Sequence, residues 1–243
     1  KGICKPVKFD IPITCVLVAF ALIFAPGVSV AEVSMNVETY VEDLEHPWGI
    51  AFLPDGDALV TERPGRLRVI RAGTLDPEAV RGLPQVISIG QGGLLDVAAH
   101  PRFSENRWIY LTLSAGTAQA MGTELYRGRL NVDKTALENV EQLFVMKPKS
   151  SGTVHFGSRI VFDEHGYVFI SLGERGLMDE AQKLNVHNGK IIRLHDDGRI
   201  PEDNPFAGRS DALADIYSYG HRNIQGMTIH PSTGELWETE HGP

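Results

Sequence analysis

The feature that most constrains this chain is a strand–turn–strand unit that occurs four times. WGIAFLPDGDALVTE (residues 48–62) runs apolar, turns at Pro-Asp-Gly, runs apolar again and ends polar. LLDVAAHPRFSENRWIYLTL (94–113), RIVFDEHGYVFISL (159–172) and MTIHPSTGELWETE (227–240) repeat the shape, with turns near Gly56, Asn106, Gly166 and Gly234. Helical periodicity is almost absent. Further strands fall between the units, at Leu67 to Ile70, Glu124 to Leu130, and Lys190 to Leu194 before a turn at Gly198. A degenerate repeat of short strands, spaced roughly 50 to 68 residues apart, predicts an all-β chain built as a β-propeller of about four blades. A sandwich would not repeat one motif in this way. The last unit is followed at once by the chain end, so the ring is not expected to close within these residues.

Residues 1–31 read differently. Lys1, Lys5 and Lys8 precede an apolar run from Ile11 to Phe24, and Ser29 and Ala31 are small residues suited to a cleavage site. That pattern predicts a secretory signal peptide, with residues 32–243 as one propeller domain and a periplasmic or secreted location. The apolar run is shorter than the ~20 residues a spanning helix needs, so no membrane span is expected after cleavage. Both cysteines, Cys4 and Cys15, fall in the leader, which leaves an exported domain without disulfides. The net charge is −8, and an acidic chain argues against nucleic acid as a partner.

Three places look chemical. Around Gly166, a two-residue turn flanked by Asp163 and Gly166 would set His155 directly opposite Glu174 if the pairing ran that far. The carboxylate could then orient one ring nitrogen and leave the other basic. A solvated cross-strand ion pair is the plainer alternative. In SYGHRNIQGM (218–227), Arg222 and Asn223 put a rigid cation beside an amide, a pairing suited to a carbonyl or carboxylate, or to a structural turn. Gln91 lies on a glycine loop before a strand, a weak signal alone. No nucleophile-elbow motif and no clustered His/Cys ligand spacing is present.

Several segments resemble, in family order, the soluble quinoprotein glucose/sorbosone dehydrogenases, and within them the periplasmic aldose sugar dehydrogenases. They are WGIAFLPDG (48–56), QGGLL (91–95), HFGSR (155–159), GKIIR (189–193), PEDNP (201–205), YGHRNIQG (219–226) and EHGP (240–243). The resemblance implies a six-bladed propeller that carries pyrroloquinoline quinone (PQQ) and Ca2+ on one face. It implies oxidation of aldose sugars at C1 to lactones by base-assisted hydride transfer, with the electrons passed on to an external acceptor. By the same resemblance His155 is the general base and Glu174 orients it. Gln91 is a polar contact near substrate and quinone. Arg222 and Asn223 bind the quinone's reactive carbonyl, where Arg222 stabilises developing charge, and the carbonyls of Gly242 and Pro243 ligate calcium. Val154 departs from the acidic sugar contact of glucose-specific members, which implies looser choice among aldoses. The family's later Lys and Arg contacts to the quinone carboxylates have no counterpart in this sequence, so the chain alone is expected to be inactive. Two other classes remain open on the residues alone: a calcium-dependent lactonase and a non-catalytic binding propeller.

Overall fold

The computed structural model describes residues 35–242. The leader expected over residues 1–31, with Cys4 and Cys15, lies outside them, as does Pro243. Residues up to Glu38 form a unit separate from Thr39 onward, and the architecture below is that of the second unit. No helix among the described residues is long and apolar enough to cross a membrane.

The second unit is a partial β-propeller of sequential antiparallel meanders. The first sheet holds β1 (Pro47–Phe52), β2 (Ala58–Glu62), β3 (Arg66–Arg71) and β4 (Thr74–Leu75). The second holds β5 (Leu94–Ala99), β6 (Trp108–Thr117), β7 (Ala120–Leu130) and β8 (Leu137–Val145). The third holds β9 (Ile160–Phe162), β10 (Tyr167–Leu172), β11 (Lys190–His195) and β12 (Ile216–Tyr219). A two-stranded sheet follows, β13 (Ile224–Ile229) with β14 (Leu236–Glu240). Each repeat unit in the sequence is thus the first hairpin of a sheet. The additional strands expected between the units are β3, β7 and β11.

The sheets stack face to face, and the period of two along each strand explains how. On β6, Ile109, Leu111 and Leu113 enter a core shared with Leu59, Leu67 and Val69 of the first sheet. The alternate residue Tyr110 enters the next core, with Ile160, Val168, Ile170 and Ile192 of the third sheet. On β10, Phe169 points the other way and packs with Ile191 and Ile224 toward β13. A strand buried on both faces must be apolar on both, which is why the runs read as continuous rather than alternating. Successive first strands are neighbours: β1 lies beside β5, β5 beside β9, and β9 beside β13. They form the inner wall of the stack.

This topology divides the connections between two ends. Within a meander the turns β1–β2, β5–β6, β9–β10 and β13–β14 fall at one end. The connections β4–β5, β8–β9, β10–β11 and β12–β13 open at the other. All the described residues expected to be chemical lie on this second set or just after β14.

One expectation needs correction. The β9–β10 ladder pairs Ile160 with Ile170, Val161 with Phe169 and Phe162 with Val168. Asp163 therefore closes on Tyr167, donating its N–H to that carbonyl at 3.1 Å, around a three-residue loop with Gly166 at φ 84°. Asp163 Oδ1 accepts from the amides of His165 and Tyr167, which stabilises this loop over the two-residue turn. The register is one residue off the expected one, and β9 begins only at Ile160. His155 and Glu174 are not ladder partners.

Candidate active site

His155 and Glu174 nevertheless meet. His155 leaves the sheet on left-handed backbone, φ 54°, followed by Gly157 at 62° and Ser158 at 88°. Polar side chains of the second sheet hold that detour. Thr112 Oγ1 donates to the Ser158 carbonyl at 2.6 Å, and Thr123 Oγ1 to the Phe156 carbonyl at 2.8 Å. A Cβ on Gly173 would overlap the His155 carbonyl, so only glycine lets the β10–β11 connection pass this close. The result is a 2.6 Å hydrogen bond between His155 Nδ1 and Glu174 Oε1. Glu174 Oε2 accepts from the amides of Gly176 and Leu177, so both oxygens of this buried carboxylate are engaged. His155 Nε2 makes no hydrogen bond among the described residues. A ring with Nδ1 held by a carboxylate and Nε2 free is the geometry of an oriented base.

Arg222 and Asn223 stand between β12 and β13, and one carboxylate fixes their backbone. Glu240 Oε2 accepts from Arg222 N at 2.6 Å and from Asn223 N at 3.2 Å. Glu174 N donates to the Arg222 carbonyl at 2.9 Å, which couples this segment to the histidine's partner. The Asn223 side chain is buried, with Oδ1 accepting from Gly157 N and Gln225 Nε2. Its Nδ2 is left to donate. Gln91, on the β4–β5 connection, accepts from His155 N at 2.8 Å through Oε1. Gln91 thus braces the His155 backbone directly.

Arg222 Nη1 donates to the carbonyls of His241 at 3.0 Å and Gly242 at 3.1 Å. The Gly242 carbonyl is the oxygen type a hard cation takes, and here it is shared with a guanidinium. A cation at that oxygen would meet the positive charge of Arg222 Nη1. Pro243, the other expected ligand, is outside the described residues.

A cavity of about 160 Å³ opens beside these groups, lined by Trp48, Arg63, Gln91, Leu95, Phe156, Gly157, Asn223, Gln225 and His241. His155, Glu174 and Arg222 do not line it. No carboxylate lines it among the described residues.

Some residues near the site were assigned no role from the sequence. Arg175 is buried and grips the chain on either side of residue 153, while Glu240 caps Arg222 and Asn223. His221, Glu238 and Glu240 bring ligand-type atoms within 4.8 Å of one another, although no local spacing announces it. Burial pushes the His221 imidazole down, and burial together with Glu240 pushes the Glu238 carboxyl up. Arg175 reaches its partners across two connections, and the His221, Glu238 and Glu240 cluster forms across the β13–β14 hairpin, so no short-range spacing disclosed them.

The glucose/sorbosone dehydrogenase profile matches residues 44–243. The chain belongs to that family. An uncharacterized protein of Synechocystis, slr1608, is 44% identical over 220 residues, covering 83% of this chain and 53% of its own length. Aldose sugar dehydrogenase YliI of Escherichia coli K12 is 44% identical over 237 residues, covering 97% of this chain and 62% of its own. The structure of the PQQ-bound form of an aldose sugar dehydrogenase from Streptomyces coelicolor superposes with a TM-score of 0.76 at 29% identity, over 86% of this chain and 60% of that one. The chain spans between 53% and 62% of the length of the two curated relatives.

Proposed function

We propose that the protein is a PQQ-dependent aldose dehydrogenase that oxidises the sugar at C1 to a lactone and passes the electrons to an external acceptor. The observation that carries this reading is the His155–Glu174 pair with a free Nε2, on the same end of the propeller as Arg222 and Asn223. The residues present suit the quinone. Arg222 has Nε and Nη2 uncommitted among the described residues, and the buried Asn223 amide has a donor without a partner. Such donors match electron-rich carbonyl oxygens.

When bound, PQQ would supply the two-electron acceptor that no side chain provides. The chain's own residues do the rest. His155 Nε2 takes the proton of the sugar's C1 hydroxyl. Glu174 keeps the Nδ1 proton in place and stabilises the imidazolium that forms. Arg222 and Asn223 hold donors where negative charge develops. The Gly242 and Pro243 carbonyls are the proposed calcium ligands. Val154, next to the base, offers an apolar side chain, which favours a broad choice of aldoses. The leader pattern of residues 1–31 supports a periplasmic or secreted location for the reaction.

The lactonase reading needs acidic ligands converging on a metal, and among the described residues the 160 Å³ cavity is lined by no carboxylate. The test is dye reduction by the protein expressed from its complete reading frame, with aldoses, PQQ and calcium. Reduction that needs both PQQ and calcium is the expected result. A folded protein that binds no quinone would leave the non-catalytic binding propeller in its place.

A further inference from the structure

Arg175 follows Glu174 directly, on left-handed backbone at φ 65°, and is 1% exposed. No carboxylate among the described residues forms a salt bridge with it, so its charge is held by other means. One guanidinium nitrogen donates to the Gly152 carbonyl and the other to the Val154 carbonyl. The guanidinium lies 3.4 Å from the ring centroid of Phe156. Nε is buried without a partner among the described residues. Burial pushes the group down to about 10, against the pull of Glu174. An arginine kept this dry is costly unless its geometry is used.

The grip falls on the four residues that present the base. The carbonyls of 152 and 154 go to Arg175. The carbonyl between them, Thr153, accepts from Gln91 N at 2.8 Å, and His155 N donates to Gln91 Oε1 at 2.8 Å. Two connections from different sheets thereby fix four consecutive backbone groups. A left-handed histidine persists only where its surroundings over-determine it.

We propose that Arg175 is a positioning residue for His155: its planar fork, stacked on Phe156, locks the 152–154 backbone so that the imidazole stays on Glu174 with Nε2 free. The role rests on the proposed function for its catalytic consequence, but its structural consequence stands apart from it. The R175K substitution keeps the charge, yet a single ammonium cannot bridge both carbonyls in one plane.

The test compares R175M and R175K with the unaltered protein, each expressed from the complete reading frame. The first readout is the low-field Nδ1–H signal of His155 in histidine-labelled NMR of the quinone-free protein. The second is dye reduction with PQQ, calcium and an aldose. We expect R175M to lose the Nδ1–H signal and about a hundredfold in kcat with KM unchanged, and R175K to recover part of both. A folded R175M with the signal and kcat of the unaltered protein overturns the proposal. If R175M does not fold, a folded R175K with both readouts unaltered overturns it equally. Loss of the signal in R175M, in a protein whose unaltered form reduces no dye, keeps the positioning role and removes the dehydrogenase reading.

Discussion

The two ends of the propeller use glycine for opposite purposes. At the hairpin end, Gly56, Gly166 and Gly234 take φ of 90°, 84° and 71°, and a Cβ on any of them would meet nothing within 4 Å. These glycines serve the turn alone. At the site end, Gly90 lies against the Thr153 carbonyl, Gly152 against that of Arg175 and Gly173 against that of His155. These let one connection press on the next. The hairpin end is local structure repeated. The site end is a contact network among segments from different sheets, and that is where an oriented histidine can be held.

The contrast breaks most readily at Gly173. G173A should lower stability by about 3 kcal/mol, because a backbone carbonyl cannot move aside as a side chain can. G166A should cost only about 1 kcal/mol, the strain of a left-handed alanine. Denaturant midpoints of the two variants check this, and equal losses would erase the distinction. E174Q should next cut turnover roughly a hundredfold with little change in sugar KM, since it weakens the partner of Nδ1. E240A should cost about 1 kcal/mol by freeing the Arg222 and Asn223 amides, read from the same midpoints. The smallest effect is electrostatic. Lys190 is buried and donates to the carbonyls of Glu180, Ala181 and Asn188, and burial pushes its ammonium down to about 8. Between about pH 8 and its ordinary 10.5 the unfolded chain holds a proton that the folded chain has released. Stability therefore gains from Lys190 as pH rises through that window. K190M should lose that upward slope in a series of melting curves.

The same contrast explains what could be read from the sequence. The first hairpins and third strands were legible because continuous apolar runs and Pro/Asp/Gly turns are local. The fourth strands were not. β4 is two residues long, and β8 (LENVEQLFV) exposes most of its middle. The pairing of His155 with Glu174 was legible as residues but not as geometry. The expected ladder slips by one at Asp163, and the left-handed residues His155, Gly157 and Ser158 make the contact instead. Gln91 was expected near substrate and quinone; what its position shows is a hydrogen bond that braces the His155 backbone. Arg175 was silent because its partners lie on another connection, and Glu240, quoted within EHGP, carried no assigned role although it caps Arg222 and Asn223 from the end of β14.

The most direct measurement is sugar-dependent dye reduction by H155A in the protein from its complete reading frame, with bound PQQ assayed in the same sample. The predicted result is loss of nearly all turnover, about a thousandfold or more, with quinone still bound. Turnover equal to that of the unaltered protein would contradict a base at His155.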